Sequence, residues 1–438
     1  MIIYKFGGSS VKNAEALKRV AQLISNEPNL KAVVISATYN TTNNLEELAV
    51  QSASGNEAEA NTLKTKIFER HIGIAKDLNL PDTCLTKMND IFDEIDNLSK
   101  AMYLVKDKYI KAMDRLYSTG ERLSTLLLFE LLKKQNVDCA LIDTPKIIKT
   151  DDNFSQANPI MHIIKKKATE LLDAHKSELL IFQGFIGSTL LDETTTLGRE
   201  GSDYTATILA SAMGAESVTI WTDVIGIANS DPRWNESAKY FKNVYAQDAA
   251  EMAYLGAKVI HRKTISPLDN SECVINVKST FEPEQAGTCI GKSKTEPAIP
   301  SISYIENLSL LKLAKAQSGH LKKVRELINK LDHYGMEPYL TQEMGQHTIF
   351  LFDNGLKTPL LELIARSKSE ITLHKNLSLL SIVITDLMHG NHAANFLNSL
   401  KEQEIDYLNL FTTERSLSVL TTNKIKKESM NYITNRFL

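Results

Sequence analysis

The stretch Lys5-Phe6-Gly7-Gly8-Ser9-Ser10 follows directly on the apolar run Met1-Ile2-Ile3-Tyr4. A strand that ends in a lysine, paired glycines and two hydroxyls is suited to holding an anion against its backbone. Glycine lets the chain take positive φ and lets another group approach without an intervening Cβ. Turn amides and a helix N-terminus attract phosphate oxygens, and a helical pattern opens near Asn13. Lys5 supplies a point charge for a phosphoryl group in transfer. The plainer alternative is an ordinary βα turn.

Other clusters carry matching chemistry. In GREGSDYTA (198–206), Arg199 suits bidentate recognition of a carboxylate or phosphate. Gly201 and Ser202 precede Asp203, which either organises Lys5 and a magnesium-bound phosphate or N-caps the helix through Ile208. The two roles are compatible. WTDVIGI (221–227) ends a strand in Thr222-Asp223, SDPR adds Arg233, and GAKVIH (256–261) adds Lys258. Ligands of open α/β sheets bind at the carboxyl ends of strands, and all of these residues except Lys258 follow an apolar strand. STGERLS (118–124) brings Glu121 to an expected helix start. An acid there either favours the helix dipole or receives a substrate ammonium group.

Several signals are weak. There is no GxGxxG, and AGTCIGKS (286–293) has Ala286 where a Walker A glycine belongs, so it reads as a decoy. His-Gly-Asn-His at 389–392 reads as a turn and not as a metal site. Basic runs such as Lys165–Lys167 read as a solvated helix face.

Six short apolar runs must position these clusters: residues 1–6, 31–37, 139–143, 178–185, 217–224 and 272–277. They read as strands covered on both faces. Helical patterns lie between them, including Ala14 to Ser25 (with Leu17, Val20, Ala21 and Ile24), Leu123 to Leu132 and Thr205 to Met213. The alternation predicts an α/β domain with a largely parallel sheet. Residues 45–117 read as a polar, helical excursion from it.

A polar, proline-containing linker is expected at 292–301, followed by a repeat. Asn-Leu-Ser-Leu-Leu occurs at 307–311 and again at 376–380. Each copy leads through a Gly/His turn to a helix, then two strands, then a closing helix candidate (360–365 and 428–435). The shared βαββα order points to a duplication. Such units resemble ACT domains, ferredoxin-like α+β modules that are either amino-acid sensors or dimerisation platforms.

Composition sets the outer limits. The chain has 438 residues, 43% hydrophobic and 24% charged, and a formal net charge of −3. This is ordinary globular composition for two or three domains, with no electrostatic case for nucleic acid or membrane partners. No apolar run approaches the roughly 18 residues that span a bilayer. Four scattered cysteines without metal spacing, and no leader-like start, lead us to expect a reduced, cytoplasmic protein.

Taken in order, KFGGSSV, STGERLS, GFIG, LGREGSDYTA, WTDVIGI, DPR and GAKVIH resemble the aspartate kinases of the amino-acid kinase superfamily, and the tandem ACT-like tail completes the resemblance. It implies a three-layer αβα catalytic domain at 1–293, with ACT-like modules at 302–372 and 373–438 interleaved through a strand at 301–305. It implies transfer of phosphate from Mg²⁺-bound ATP to the side-chain carboxylate of L-aspartate. Lys5, Gly7, Gly8 and Ser10 would hold phosphates, with Lys5 stabilising transition-state charge and Asp203 orienting it. Ser36, Thr42, Glu121, Phe185, Arg199 and Ser202 would hold aspartate, and Thr222, Asp223, Arg233 and Lys258 the nucleotide. A homodimer or higher oligomer, with an amino-acid effector at the ACT-like modules, would follow. The alternatives are a sister kinase acting on another carboxylate and a catalytically inactive amino-acid sensor. The sequence departs from the family in the nucleotide loop, where Ile225 and Ala228 replace the proline and tyrosine of Val-Pro-Gly-Ile-Tyr.

Overall fold

The computed structural model describes residues 1–256, 260–269, 271–292, 300–315, 320–333, 338–353, 371–384, 387, 391–422 and 424–437. The chain divides into two compact units. One is Met1–Ile227 with Ile260–Lys292, and the other is Ala228–Val259 with Ser293–Leu438.

The first unit begins with β1 (Ile2–Phe6), a 3-10 turn over Gly8–Val11, α1 (Ala14–Ser25) and β2 (Leu30–Ile35). Asn13 caps α1 by accepting the Ala16 N–H at 2.9 Å. Leu17, Val20, Ala21 and Ile24 form its buried stripe. Four helices follow: α2 (Thr41–Ala53), α3 (Glu57–Asp77), α4 (Asp82–Val105) and α5 (Ile110–Lys134). The chain continues through β3 (Cys139–Ile142), α6 (Thr144–Ile147), α7 (Met161–Ala174), β4 (Leu179–Gln183), the hairpin β5 (Ile186–Ser188) and β6 (Thr194–Thr196), α8 (Gly201–Met213) and β7 (Ser217–Thr222). The second unit claims β8 (Asn243–Tyr245) and α9 (Ala246–Tyr254). The first resumes with α10 (Arg262–Ile265), β9 (Val274–Ser279) and β10 (Thr288–Gly291).

The sheet of the first unit runs β3-β4-β2-β1-β7-β9-β10, and all six expected strands are in it. Its pairings are parallel except the last, β9 with β10. β1 is central: Phe6 is paired with Ile35 on one side and Trp221 on the other. The order reverses about β1, which is where an open α/β sheet leaves a crevice at its carboxyl edge.

The helical stretch after residue 45 corrects the sequence reading. It is no polar excursion. Leu45, Leu48, Ile67, Met88, Phe92 and Leu116 share one core with Phe6, Val33 and Ile35 of the sheet. Each helix turns a narrow apolar stripe inward, and the polar residues that dominate its composition face out.

In the second unit, one antiparallel sheet serves both repeats. Its strands are β11 (Ser301–Ala314), β12 (Leu340–Met344), β13 (His347–Asp353), β14 (Ile371–Val383), β15 (Asn409–Thr412) and β16 (Ser416–Thr421), in the order β12-β13-β11-β14-β16-β15. The two Asn-Leu-Ser-Leu-Leu copies meet at its centre. Leu308 pairs with Leu377, and Asn307 and Asn376 both take left-handed backbone, at φ 60° and 59°. Asparagine tolerates that conformation better than other side chains. Ile302 and Tyr304 of β11 pack with Leu380, Phe396 and Val419 of the second repeat. Leu311 and Leu313, later in the same strand, pack with Leu327, Leu331 and Phe350 of the first.

Residues 228–259 join this unit through specific contacts. The Ser303 hydroxyl donates to the Leu255 carbonyl at 2.8 Å, and Arg415 pairs with Asp248 at 2.6 Å. The helix expected at 360–365, residues 293–299 of the expected linker, and the turns at 316–319 and 388–390 lie outside the described residues.

Candidate active site

Four parallel strands deliver the site. Hydrogen bonding continues one residue past β1, β2 and β4: Gly7 N–H donates to Trp221 O (3.2 Å), Ser36 N–H to Phe6 O (3.1 Å) and Gly184 N–H to Ile35 O (2.8 Å). The segments after β1, β2, β4 and β7 therefore leave the sheet side by side.

Lys5 is the last residue but one of β1, and its ammonium lies 2.5 Å from the Asp203 carboxylate, both side chains buried. Asp203 sits in the first turn of α8 but does not cap it. Glu200, at φ 53°, holds the N-cap position, with no side-chain cap bond. The capping alternative thus gives way to the pairing with Lys5.

Of the paired glycines, Gly8 owes its identity to space and neither takes positive φ. Gly7 has φ −74°. A Cβ there would lie 3.5 Å from the Lys5 ammonium, and one on Gly8 would lie 2.9 Å from the Ala37 carbonyl oxygen. Ser10 is fully buried, its hydroxyl 2.6 Å from that of Thr280. It braces the turn from beneath.

Glu121 lies in the middle of α5, not at a helix start, so the dipole explanation falls away. One carboxylate oxygen accepts the Ala37 N–H at 3.2 Å; the other is buried without a hydrogen-bond partner. Burial pushes its pKa up to about 8, against the pull of nearby donors and the Lys5 charge. The same turn of α5 holds the loop after β2. Ser124 donates to the Ser36 carbonyl at 2.7 Å, and a Cβ on Gly120 would crowd that of Ala37 at 3.0 Å.

Thr42 is half-buried in the first turn of α2. Beneath it, Thr41 bonds Thr38 at 2.6 Å, and Thr38 bonds His71 Nε2 at 3.1 Å. His71 is fully buried, with its pKa lowered by burial to about 4. Its Nδ1 lies 2.7 Å from the Ile67 carbonyl and so carries the proton, leaving Nε2 to accept from Thr38.

Phe185 takes left-handed backbone at φ 69°, its N–H on the Thr205 hydroxyl at 2.9 Å. Ser202 is buried against Gly184, where a Cβ would come within 2.5 Å of it. Arg199 is exposed just before α8. Thr222 and the exposed Asp223 end β7, with the Thr222 hydroxyl donating to Asp223 at 3.1 Å. Arg233 belongs to the second unit, where its guanidinium grips Asp231. Lys258 lies outside the described residues.

Sequence reasoning missed Asp114, His71, Thr280 and Thr288. Thr288 falls inside the discarded Walker-like stretch, yet its hydroxyl accepts the Ile227 N–H at 2.9 Å and supports the loop after β7. Nothing in spacing marked these residues, because their partners are remote in sequence.

A buried lysine–aspartate pair beneath two glycines, flanked by a desolvated carboxylate, at the switch point of a parallel sheet defines a phosphotransferase-type site. The model of the "Amino acid kinase family" matches residues 1–279, and the chain belongs to that family. Lysine-sensitive aspartokinase 3 of Escherichia coli K12 is 36% identical over 322 residues, covering 73% of this chain and 71% of the relative. The aspartokinase of Chlamydia pneumoniae is 29% identical over 394 residues, covering 87% and 85%. The crystal structure of E. coli aspartokinase III in complex with aspartate and ADP (R-state) superposes with a TM-score of 0.87 at 28% identity, covering 100% of this chain and 99% of that one. The chain takes its place among the aspartokinases. It spans 60% of one longer plant relative and 35% of another.

Proposed function

We propose that this chain transfers the terminal phosphoryl group of ATP to the side-chain carboxylate of L-aspartate, giving 4-phospho-L-aspartate for lysine, threonine and methionine synthesis. The observation that carries the reading is Glu121, buried with one oxygen unpartnered, in the same site as the Lys5–Asp203 pair. That oxygen is a receptor for the substrate ammonium group. Arg199 takes the α-carboxylate, and Ser36, Thr42, Phe185 and Ser202 complete the aspartate site.

Little covalent work falls to the protein. The acceptor carboxylate is ionised at pH 7 and needs no general base. Alignment and charge neutralisation supply the rate. Lys5, held by Asp203, stabilises charge on the transferring group, and Gly7 and Gly8 keep side chains out of its path. Ser10 holds that turn, while Thr222 and Asp223 serve the nucleotide. Among the described residues no three potential ligands gather into a metal cage. Mg²⁺ would bind through substrate phosphates and one or two carboxylates. When bound, the ion would neutralise phosphate charge, and Asp203 would orient Lys5 and the metal-bound phosphates.

We assign the catalytic domain to 1–293, within which residues 228–259 group with the second unit. The modules 302–372 and 373–438 take an amino-acid effector and pair in a homodimer, and the protein works in the cytoplasm. Among the described residues, no helix is long and apolar enough to cross a membrane.

The test is ADP release from Mg-ATP with and without L-aspartate, trapping acyl phosphate with hydroxylamine. Aspartate-dependent hydroxamate is expected. ADP release indifferent to aspartate would overturn the assignment.

A further inference from the structure

Asp114 is a buried acid to which the proposed chemistry gives no part. It is fully buried on α5, two turns before Glu121. Its carboxylate accepts four hydrogen bonds from two remote segments. One oxygen takes the Ser155 and Thr196 amides at 2.8 Å each, and the other takes their hydroxyls at 2.9 Å each. The two segments also bond each other, Ala157 N–H to Thr196 O at 2.9 Å.

Thr196 ends β6, and three residues later comes Arg199. The intervening chain is held at every step. Leu197 N–H donates to the Phe185 carbonyl at 2.9 Å. Gly198, at φ 80°, packs so closely that a Cβ would lie 3.3 Å from the Ser155 carbonyl oxygen. Ser155 itself is left-handed, at φ 67°, a conformation that its two bonds to Asp114 help to hold.

We infer that Asp114 is a positioning residue for substrate selection: it fastens the base of the Arg199 loop to the helix that carries Glu121. The inference rests on the proposed roles of Glu121 and Arg199. It adds that the receptors for the ammonium and α-carboxylate groups of one substrate are tied to a single rigid helix through Asp114. An amino acid bound at both ends needs a constant separation between its receptors, and small misplacements weaken such binding steeply. The nucleotide does not depend on that separation.

The test is steady-state kinetics of the full chain carrying Asp114→Asn, with Thr196→Val as a milder variant that deletes one donor and keeps the shape. An amide cannot accept from all four donors. The expected result is a KM for aspartate raised about tenfold in Asp114→Asn and a few-fold in Thr196→Val, with kcat and the KM for ATP within about twofold of the parent. An unchanged aspartate KM in folded variants would overturn the inference. So would a comparable rise in both KM values together with a fall in kcat, which marks general loosening. If Asp114→Asn does not fold, Thr196→Val decides by the same criteria. Failure of the parent protein to form hydroxamate would instead count against the kinase reading. Calorimetric titration of aspartate into parent and Thr196→Val would then decide the inference, with equal affinities overturning it.

Discussion

Thr288 accepts the backbone N–H of Ile227 at 2.9 Å, tying β10 to the end of the loop that follows β7. Gly226 lies so close that a Cβ would come within 2.5 Å of the same hydroxyl. The loop from Asp223 to Ile227 is therefore clamped at its far end. Thr288→Val keeps the shape and leaves a buried amide unpaired, at a cost of about 1–3 kcal/mol. The KM for ATP is expected to rise several-fold with aspartate kinetics unchanged. An ATP KM equal to that of the parent would separate this loop from nucleotide binding.

Lys5 and Asp203 stabilise one another inside the protein. Asp203→Ala strands a buried ammonium and is expected to cost about 3–5 kcal/mol in denaturant unfolding. The double variant Lys5→Met, Asp203→Leu should recover most of that loss, since it buries no charge. Activity behaves differently. Lys5→Met should lower turnover about 10²- to 10³-fold, by analogy with loss of one preorganised donor, and the second substitution should not restore it. Recovered stability together with recovered turnover would rule Lys5 out of the chemistry.

Glu121 links aspartate binding to protons. Its folded pKa, about 8, stands above the ordinary 4.5, so the folded, ligand-free protein holds this proton more tightly than the unfolded chain. The associated stability is full below pH 4.5 and is lost as pH rises through 8. An ammonium group beside Glu121 favours the carboxylate and expels the proton in that window. At pH 7 aspartate binding should release about one proton, read by calorimetry in buffers of different ionisation heat. Glu121→Gln should release none, and no release from the parent would refute the assignment.

His71 has the opposite sign. Its folded pKa of about 4 lies below the ordinary 6.5, so protons favour the unfolded chain. Stability is full above pH 6.5 and is lost as pH falls through 4, by at most about 3 kcal/mol. Because the ring supports Thr38 and Thr41, the loop before α2 should loosen with it. His71→Gln should flatten the acid limb of a stability–pH profile. An identical limb in both proteins would place the acid sensitivity elsewhere.

Much of this protein was legible in order along the chain. Apolar runs with β-branched residues marked all six expected strands of the parallel sheet. The spacing of Leu17, Val20, Ala21 and Ile24 gave the bounds of α1. The repeated Asn-Leu-Ser-Leu-Leu announced a duplication. These signals are local: a strand or an amphipathic helix declares itself within a dozen residues. Lys5, Glu121 and Asp203 also stood out, because a charge set among glycines and hydroxyls is chemically conspicuous.

What the residues do to one another was decided by the tertiary structure. Glu121 read as a helix-start acid, yet it lies mid-helix in α5, and only packing against Ala37 buries it and raises its pKa. Gly7 and Gly8 suggested backbone freedom, but neither takes positive φ, and it is the Ala37 carbonyl that leaves no room for a Cβ on Gly8. Asp114 and Thr288 gave no signal, since hydrogen bonds between segments tens of residues apart have no period to detect. Likewise, residues 228–259 follow the first unit's β7 in sequence but belong with the second unit, because Ser303 and Arg415 bind them there. The sequence determined the elements and the reactive residue types. The fold alone set the desolvation, spacing and pairing that turn those residues into a site.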